Sequence, residues 1–179
     1  MTSRGVIWTI GHSNRKIEEL LDLLAGESIR LIADVRRFPG SKRQPQLRRE
    51  NLEAALAAAS IGYQHFADLG GRRSERLPNS PNTAWDVEAF NAYADHMQSP
   101  AFAAALEELM DLATGQRTAI LCAEALPWRC HRRLIADALI AQGWKVLDIL
   151  GPRVVKEHPL TEFARVHSGQ VTYPGGTLF

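Results

Sequence analysis

The stretch TAILCAEALPWRCHRRLIADALIAQGWKVLDIL, residues 118–150, decides the fold class. Thr118 to Ala123 is a short apolar run of strand length. From Cys130 to Gln142 the apolar residues recur at helical spacing, with Leu134, Ile135, Ala138 and Leu139 on one face, and Lys145 to Leu150 is again a short apolar strand. Strand, helix and strand in this order make an α/β architecture with a mainly parallel sheet.

The same alternation continues toward the N-terminus. Gly5 to Ile10 is rich in β-branched residues and ends at Gly11-His12-Ser13-Asn14, where Ser13 or Asn14 can cap a helix carrying Ile17, Leu20, Leu21 and Leu24. Arg30 to Val35 is a second strand, Arg48 to Ala59 a helix, and Ile61 to Phe66 a third, weaker strand. Leu69 to Trp85 holds Gly70-Gly71, Pro78 and Pro81 without apolar period and reads as a long loop, a type of segment that is often functional. Two helices follow, Asp86 to Met97 and Pro100 to Ala113, with Pro100 suited to a first helical turn. The expectation is a single α/β domain over residues 1–179, with about five strands in a mainly parallel central sheet flanked by helices. Residues 151–179 form a tail that packs on it or runs partly extended, with one short helix near Thr161 to Val166.

At 179 residues with 45% hydrophobic content the chain can build its own core, so its two cysteines need not be structural staples. No apolar run reaches the 18 or so residues of a membrane span, and Val6 to Ile10 is too short for a signal-peptide core; a cytoplasmic protein with free thiols and no membrane partner is expected. The formal net charge of +1 excludes a uniformly basic coat. It is nevertheless a cancellation. Between Val35 and Arg49 lie six basic residues, Arg36, Arg37, Lys42, Arg43, Arg48 and Arg49, and no acid, whereas Asp86 to Asp111 carries six acids and no Lys or Arg. Clustered guanidinium groups match phosphate oxygens, although a charge run can equally be a solvated face.

In an open parallel sheet the carboxyl ends of the strands share one edge, where ligands bind. Three strands deliver polar residues there: the first His12 and Ser13, the second Asp34, Arg36 and Arg37, the fourth Cys122, Glu124, Arg129, Cys130, His131 and Arg132. Thr9-Ile10-Gly11-His12-Ser13, Asp34-Val35-Arg36 with Pro39 and Ser41, Leu69-Gly70-Gly71, and Cys122-Ala123-Glu124 with Cys130-His131-Arg132 resemble the domain of unknown function 488 family over about Ile7 to Leu150. The resemblance implies an α/β fold of this size, usually bacterial or archaeal, and no established reaction, so the chemistry is argued from the residues.

Cys130 is expected at a helix N-terminus beside Arg129, His131, Arg132 and Arg133, a setting that stabilises a thiolate; it is either a nucleophile or a small buried structural thiol. Cys122, ending an apolar strand, fits the structural role better. Cys122, Glu124, Cys130 and His131 offer metal donors, but the spacing lacks paired C-x-x-C knuckles and the strand-to-helix segment would have to bend sharply, so no metal is expected. A cysteine-phosphatase loop needs five residues between cysteine and arginine; six separate Cys122 from Arg129, with Pro127-Trp128 where glycines belong. A rhodanese-like carrier fails for the same lack of small residues. Asp34 and Glu124 are candidate acids or bases, and His131 can bind or transfer a proton. Trp128, with Phe38 and Tyr63, is a candidate base-stacking surface.

The leading expectation is an enzyme, a hydrolase or transferase, that binds a phosphate-bearing small molecule such as a nucleotide, or nucleic acid, at the carboxyl edge. His12, Ser13, Arg36 and Arg132 would hold the anion, with Asp34, Glu124, Cys130 and His131 as catalytic candidates and no cofactor named. The alternatives are a non-catalytic nucleic-acid-binding module using Arg37, Lys42, Arg43, Arg48 and Arg49, and a redox or metal-responsive thiol protein.

Overall fold

The computed structural model describes residues 2–176. Strand β1, Val6–Gly11, is buried almost throughout and lies between two parallel neighbours. Its near-continuous apolar run suits a strand covered on both faces. Helix α1, Ile17–Gly26, buries Leu20, Leu23 and Leu24. Its N-terminus is organised at Lys16, whose N–H donates to Glu19, and not at the expected caps: Ser13 takes a left-handed backbone, φ 48°, in the preceding turn. Strand β2, Leu31–Asp34, leads into the basic connection, helix α2 spans Arg49–Ala58, and strand β3 is Gly62–His65.

Helices α3, Glu88–His96, and α4, Pro100–Gly115, follow the long loop. Ser99 caps α4 by accepting the Phe102 N–H at 3.2 Å, with Pro100 in the first turn. Strand β4, Thr118–Cys122, helix α5, Arg132–Ala141, and strand β5, Lys145–Gly151, complete the βαβ unit.

The central sheet has six strands, in the order β3-β2-β4-β1-β5 with Val154–Glu157 as strand β6 at the edge. All pairs are parallel except the last. The sixth strand arises because the chain turns back at Arg153, φ 58°, and pairs antiparallel with β5. The short helix expected near Thr161 to Val166 does not form. A turn closes with the Ala164 N–H on the Thr161 carbonyl, and Arg165–His167 then becomes strand β7, paired with β8, Gln170–Thr172. The two residues between them, Ser168 and Gly169, have φ 48° and 78°. Positive φ at both positions is what a tight two-residue hairpin requires, and it overrides helix formation there. The expected tail runs to Phe179, of which residues 177–179 lie outside the described residues. Its described part is anchored by Tyr173, fully buried, whose hydroxyl donates to Asp137 at 2.7 Å.

The sheet separates two cores. Trp8, Ile10, Ile32, Ala119 and Leu121 face α1 and α2, while Ile7, Ala33, Val35, Ile120 and Cys122 face α3, α4, α5 and the C-terminal hairpin. Alternation along each strand therefore decides which face a polar residue reaches. The long loop is held by one buried carboxylate. Asp95 accepts from Arg76 Nε at 2.7 Å, the Leu77 N–H at 3.0 Å, Asn82 Nδ2 at 2.9 Å and the Ser80 hydroxyl. Among the described residues no helix is long and apolar enough to cross a membrane.

Candidate functional site

Cys122 ends β4 on the α5 face. The chain then leaves the sheet, makes a single 3-10 turn at Pro127–Arg129, and returns as Cys130 and His131 at the start of α5. Pro127, buried and fixed in φ, supports this reversal. The sharp bend that was expected to prevent convergence is thus present. His131 Nδ1 lies 3.8 Å from Cys122 Sγ and 3.7 Å from Cys130 Sγ, and the three atoms are all within 4.8 Å of one another. Glu124 is not in this group; its side chain is exposed at the rim.

The imidazole is held from its other side. His131 Nε2 is 2.9 Å from the Val35 carbonyl just beyond β2, and since a carbonyl only accepts, Nε2 carries the hydrogen. The Nδ1 lone pair therefore faces the two sulfurs. The Tyr93 ring packs against the imidazole at 5.2 Å between centroids, and its hydroxyl donates to the Leu69 carbonyl at 2.7 Å. Gly71 closes over the ring: a Cβ there would sit 2.8 Å from His131 Nδ1.

The two thiols are electrostatically unequal. Cys122 is pushed up to about 12, by its hydrogen bond to Cys130 and by burial. Burial raises Cys130 as well, but the hydrogen bond from Cys122 and the charge and N–H of Arg132 outweigh it and bring the thiol down to about 7. The Arg132 N–H lies 3.4 Å from Cys130 Sγ. Arg132 is only 1% exposed; its guanidinium donates to the Glu124 carbonyl at 2.6 Å and to Thr9 Oγ1 at 3.1 Å, and Thr9 in turn donates to Asp148, which also meets His158 at 2.7 Å. Among the described residues Arg132 is thus a buried cation with hydrogen-bonding partners but no carboxylate in an ion pair with it.

Other residues that sequence reasoning grouped with these sit across the sheet. Asp34 shares the face of Ile32. It accepts from Arg36 Nε at 2.9 Å, Arg36 Nη2 at 2.7 Å, the Arg36 N–H at 3.0 Å and the Tyr63 hydroxyl at 2.6 Å. Arg36 Nη1 donates to the Leu47 carbonyl at 2.7 Å and meets His12 Nε2 at 3.4 Å. His12 Nδ1 is 2.8 Å from the Ser13 carbonyl, and burial holds the imidazole below its usual range despite that bond. Tyr63 is pushed up by burial and then by the Asp34 charge. Of the expected anion-binding residues, His12, Arg36 and Arg132 are therefore buried and hydrogen-bonded inside the protein, and Ser13 is half-buried in the turn after β1.

The thiol–imidazole group forms part of the wall of a cleft of about 310 Å³, shared with Arg36, Arg37, Phe38, Gly71, Arg72, Ala89, Phe90, Tyr93, Ala123, Glu124 and Arg129. Arg72 and Arg129 are exposed, Arg37 is half-buried, and none of the three forms an ion pair among the described residues. Phe38, 67% exposed, lies under Arg37 at 5.3 Å. Trp128 is also exposed but does not line the cleft, and Tyr63 lies across the sheet. Of the basic run, Lys42, Arg43, Arg48 and Arg49 remain on the surface, Arg48 bonding the Ser41 carbonyl at 2.8 Å. The Val35 carbonyl and Tyr93 were missed by sequence reasoning; a backbone acceptor leaves no mark in a sequence, and Tyr93 reads as helix core.

No curated protein and no solved structure matches the chain. A family model, Domain of unknown function DUF488, matches residues 16–139, more than two thirds of the chain. The matched span contains Asp34, Arg36, Cys122, Cys130 and His131 and begins after His12 and Ser13. On that match the chain belongs to the DUF488 family.

Proposed function

We propose that the protein is an enzyme that takes a phosphate-bearing nucleotide, or the end of a nucleic-acid strand, into this cleft and carries out hydrolysis or transfer beside Cys122, Cys130 and His131. One observation carries the reading: the only sulfur–imidazole cluster found among the described residues shares its cleft with three arginines that form no ion pair among those residues, Arg37, Arg72 and Arg129, and with an exposed aromatic ring. Arg37, Arg72 and Arg129 supply the anion-binding charge that the sequence assigned to His12, Arg36 and Arg132. Phe38 offers a face on which a base can stack, an interaction of about 1 to 3 kcal/mol per base. Glu124 at the rim is the acid or base candidate with access to solvent.

Titration with mononucleotides and short single-stranded oligonucleotides at several salt concentrations tests this. Arg72→Ala with Arg129→Ala should weaken mononucleotide binding at least tenfold, and Phe38→Ala should weaken nucleotides more than inorganic phosphate. The exposed Lys42, Arg43, Arg48 and Arg49 favour a second reading, a nucleic-acid-binding surface. If oligonucleotide affinity falls steeply with salt, depends on those four residues and ignores the cleft variants, the surface reading holds and the enzyme reading fails.

A further inference from the structure

We infer that Cys122, Cys130 and His131 form a zinc site whose fourth coordination position opens onto the cleft. Zinc binds thiolate at about 2.3 Å and imidazole nitrogen at about 2.0 to 2.1 Å, so tetrahedral ligands should stand roughly 3.6 Å apart for nitrogen and sulfur. The observed separations from His131 Nδ1 are 3.8 Å to Cys122 Sγ and 3.7 Å to Cys130 Sγ. Chance neighbours in a core need not show such equal spacing. The second observation is independent of the sulfurs. Imidazoles that ligate a metal through one nitrogen donate the other N–H to a carbonyl or carboxylate, which fixes tautomer and ring orientation. The Val35 carbonyl at 2.9 Å from Nε2 does this, and it leaves Nδ1 aimed at the point the two sulfurs also face.

The donor set selects the metal class. Two thiolates and an imidazole suit zinc and disfavour magnesium or calcium, which take oxygen ligands. Three protein ligands are one short of a closed structural site, and a three-ligand set with an accessible position is the pattern of catalytic zinc. All three side chains line the cleft, so a water or a substrate oxygen can reach the remaining position. Arg132, buried beside Cys130 and hydrogen-bonded to the Glu124 carbonyl, braces the strand-to-helix segment that carries two of the ligands. The inference deepens the enzyme reading and rests on it for the metal's role, but the site itself stands on the three side chains.

The test is metal content and cobalt substitution on the full chain. Protein purified without chelator should carry one zinc per chain by elemental analysis. Replacement by cobalt should give the intense visible bands of a tetrahedral ion with a near-ultraviolet thiolate charge-transfer band. Loss of an outer partner of a metal ligand typically costs 10- to 100-fold in affinity, so Cys122→Ser, Cys130→Ser and His131→Gln should each cost at least about 100-fold. Should these variants fail to fold, the wild-type protein supplies the readout: its thiols should react slowly with a disulfide reagent until a chelator is added, with zinc released as they react. Protein that is metal-free, gives no thiolate band with cobalt, or holds a Cys122–Cys130 disulfide overturns the site. Zinc without nucleotide binding would sink the enzyme reading alone; cleft-dependent nucleotide binding in protein that takes no metal would sink the zinc site alone.

Discussion

Replacing Asp34 by Asn removes a charge from a place that water does not reach. Asp34 is fully buried and Arg36 is 7% exposed, with the Arg36 guanidinium on both carboxylate oxygens and the Tyr63 hydroxyl donating to the same group. An Asn side chain keeps one acceptor oxygen and turns an NH2 group toward donors, so Arg36 is left as a buried cation without a counter-charge. Breaking one partner of a buried pair costs roughly 3 to 5 kcal/mol, a large share of the about 5 to 15 kcal/mol that holds a domain folded. With a urea slope of about 2 kcal/mol/M, the unfolding midpoint should fall by roughly 1.5 to 2.5 M. Tyr63→Phe removes one hydrogen bond to the carboxylate and should cost only about 1 to 3 kcal/mol, since the acceptor is charged. Urea unfolding followed by circular dichroism measures both. A loss below about 1 kcal/mol for Asp34→Asn is the value of a solvated surface pair and would refute the assignment of Asp34 as the internal anchor of Arg36.

Gly71→Ala places a Cβ 2.8 Å from His131 Nδ1, so the imidazole or the backbone at residue 71 must shift, and the ring's fixed orientation on the Val35 carbonyl is disturbed. Overpacking of this kind costs about 1 to 3 kcal/mol, and cobalt affinity should fall about 10- to 100-fold as the ring loses its orientation; a cobalt titration indistinguishable from wild type would mean the ring has room to spare. Asp95→Asn should release the loop over residues 72–82 and speed its cleavage by a nonspecific protease at least tenfold, whereas unchanged cleavage would show that Asp95 does not order it. Burial raises Asp95, but the hydrogen bonds from Ser80, Asn82, Arg76 and the Leu77 N–H outweigh it and hold the carboxyl below its usual range. Its contribution is therefore full above the unfolded value of about 3.9 and is lost as pH falls through the lower folded value. His12 runs by the same sign: burial lowers its pKa in the folded protein, so the stability it contributes is present above the unfolded value of about 6.5 and is lost as pH falls through the lower folded value. Its midpoint in an NMR titration should lie below the ordinary value of about 6.5, and a midpoint at or above that value would contradict the burial argument.

The alternating α/β pattern was legible because the strands are apolar on both faces and the helices on one. What could not be read was anything set by a single turn. The Ser168-Gly169 hairpin replaces the expected helix because two positive φ angles outweigh the local propensity, and β6 exists because Arg153 reverses the chain. The site was legible as a list but not as an arrangement. Topology puts His12, Asp34 and Cys122 at one edge, and strand parity then assigns Asp34 and Cys122 to opposite faces. The placement of charge was not legible for a related reason. A buried arginine and an exposed one look the same in a sequence: Arg36 is spent on Asp34 and the Leu47 carbonyl, whereas Arg132 gives its Nη groups to Thr9 and the Glu124 carbonyl and keeps a buried Nε without a hydrogen-bond partner among the described residues.

The position of the cleft follows from the order of the connections. After β2 the chain runs to α2 on one face of the sheet, and after β4, its neighbour, it runs to α5 on the other. Between two adjacent parallel strands whose connections diverge, no helix covers the carboxyl ends, and a crevice opens there. The walls are then dictated: Arg36, Arg37 and Phe38 come from the exit of β2, and Cys122, Ala123 and Glu124 from the exit of β4. His131 bridges the two, with Nδ1 toward the sulfur on β4 and Nε2 on the carbonyl beyond β2. A change that spreads β2 from β4 should therefore disturb His131 before it disturbs either core. The coupling between fold and chemistry runs through that one imidazole, which makes it the most informative residue to substitute.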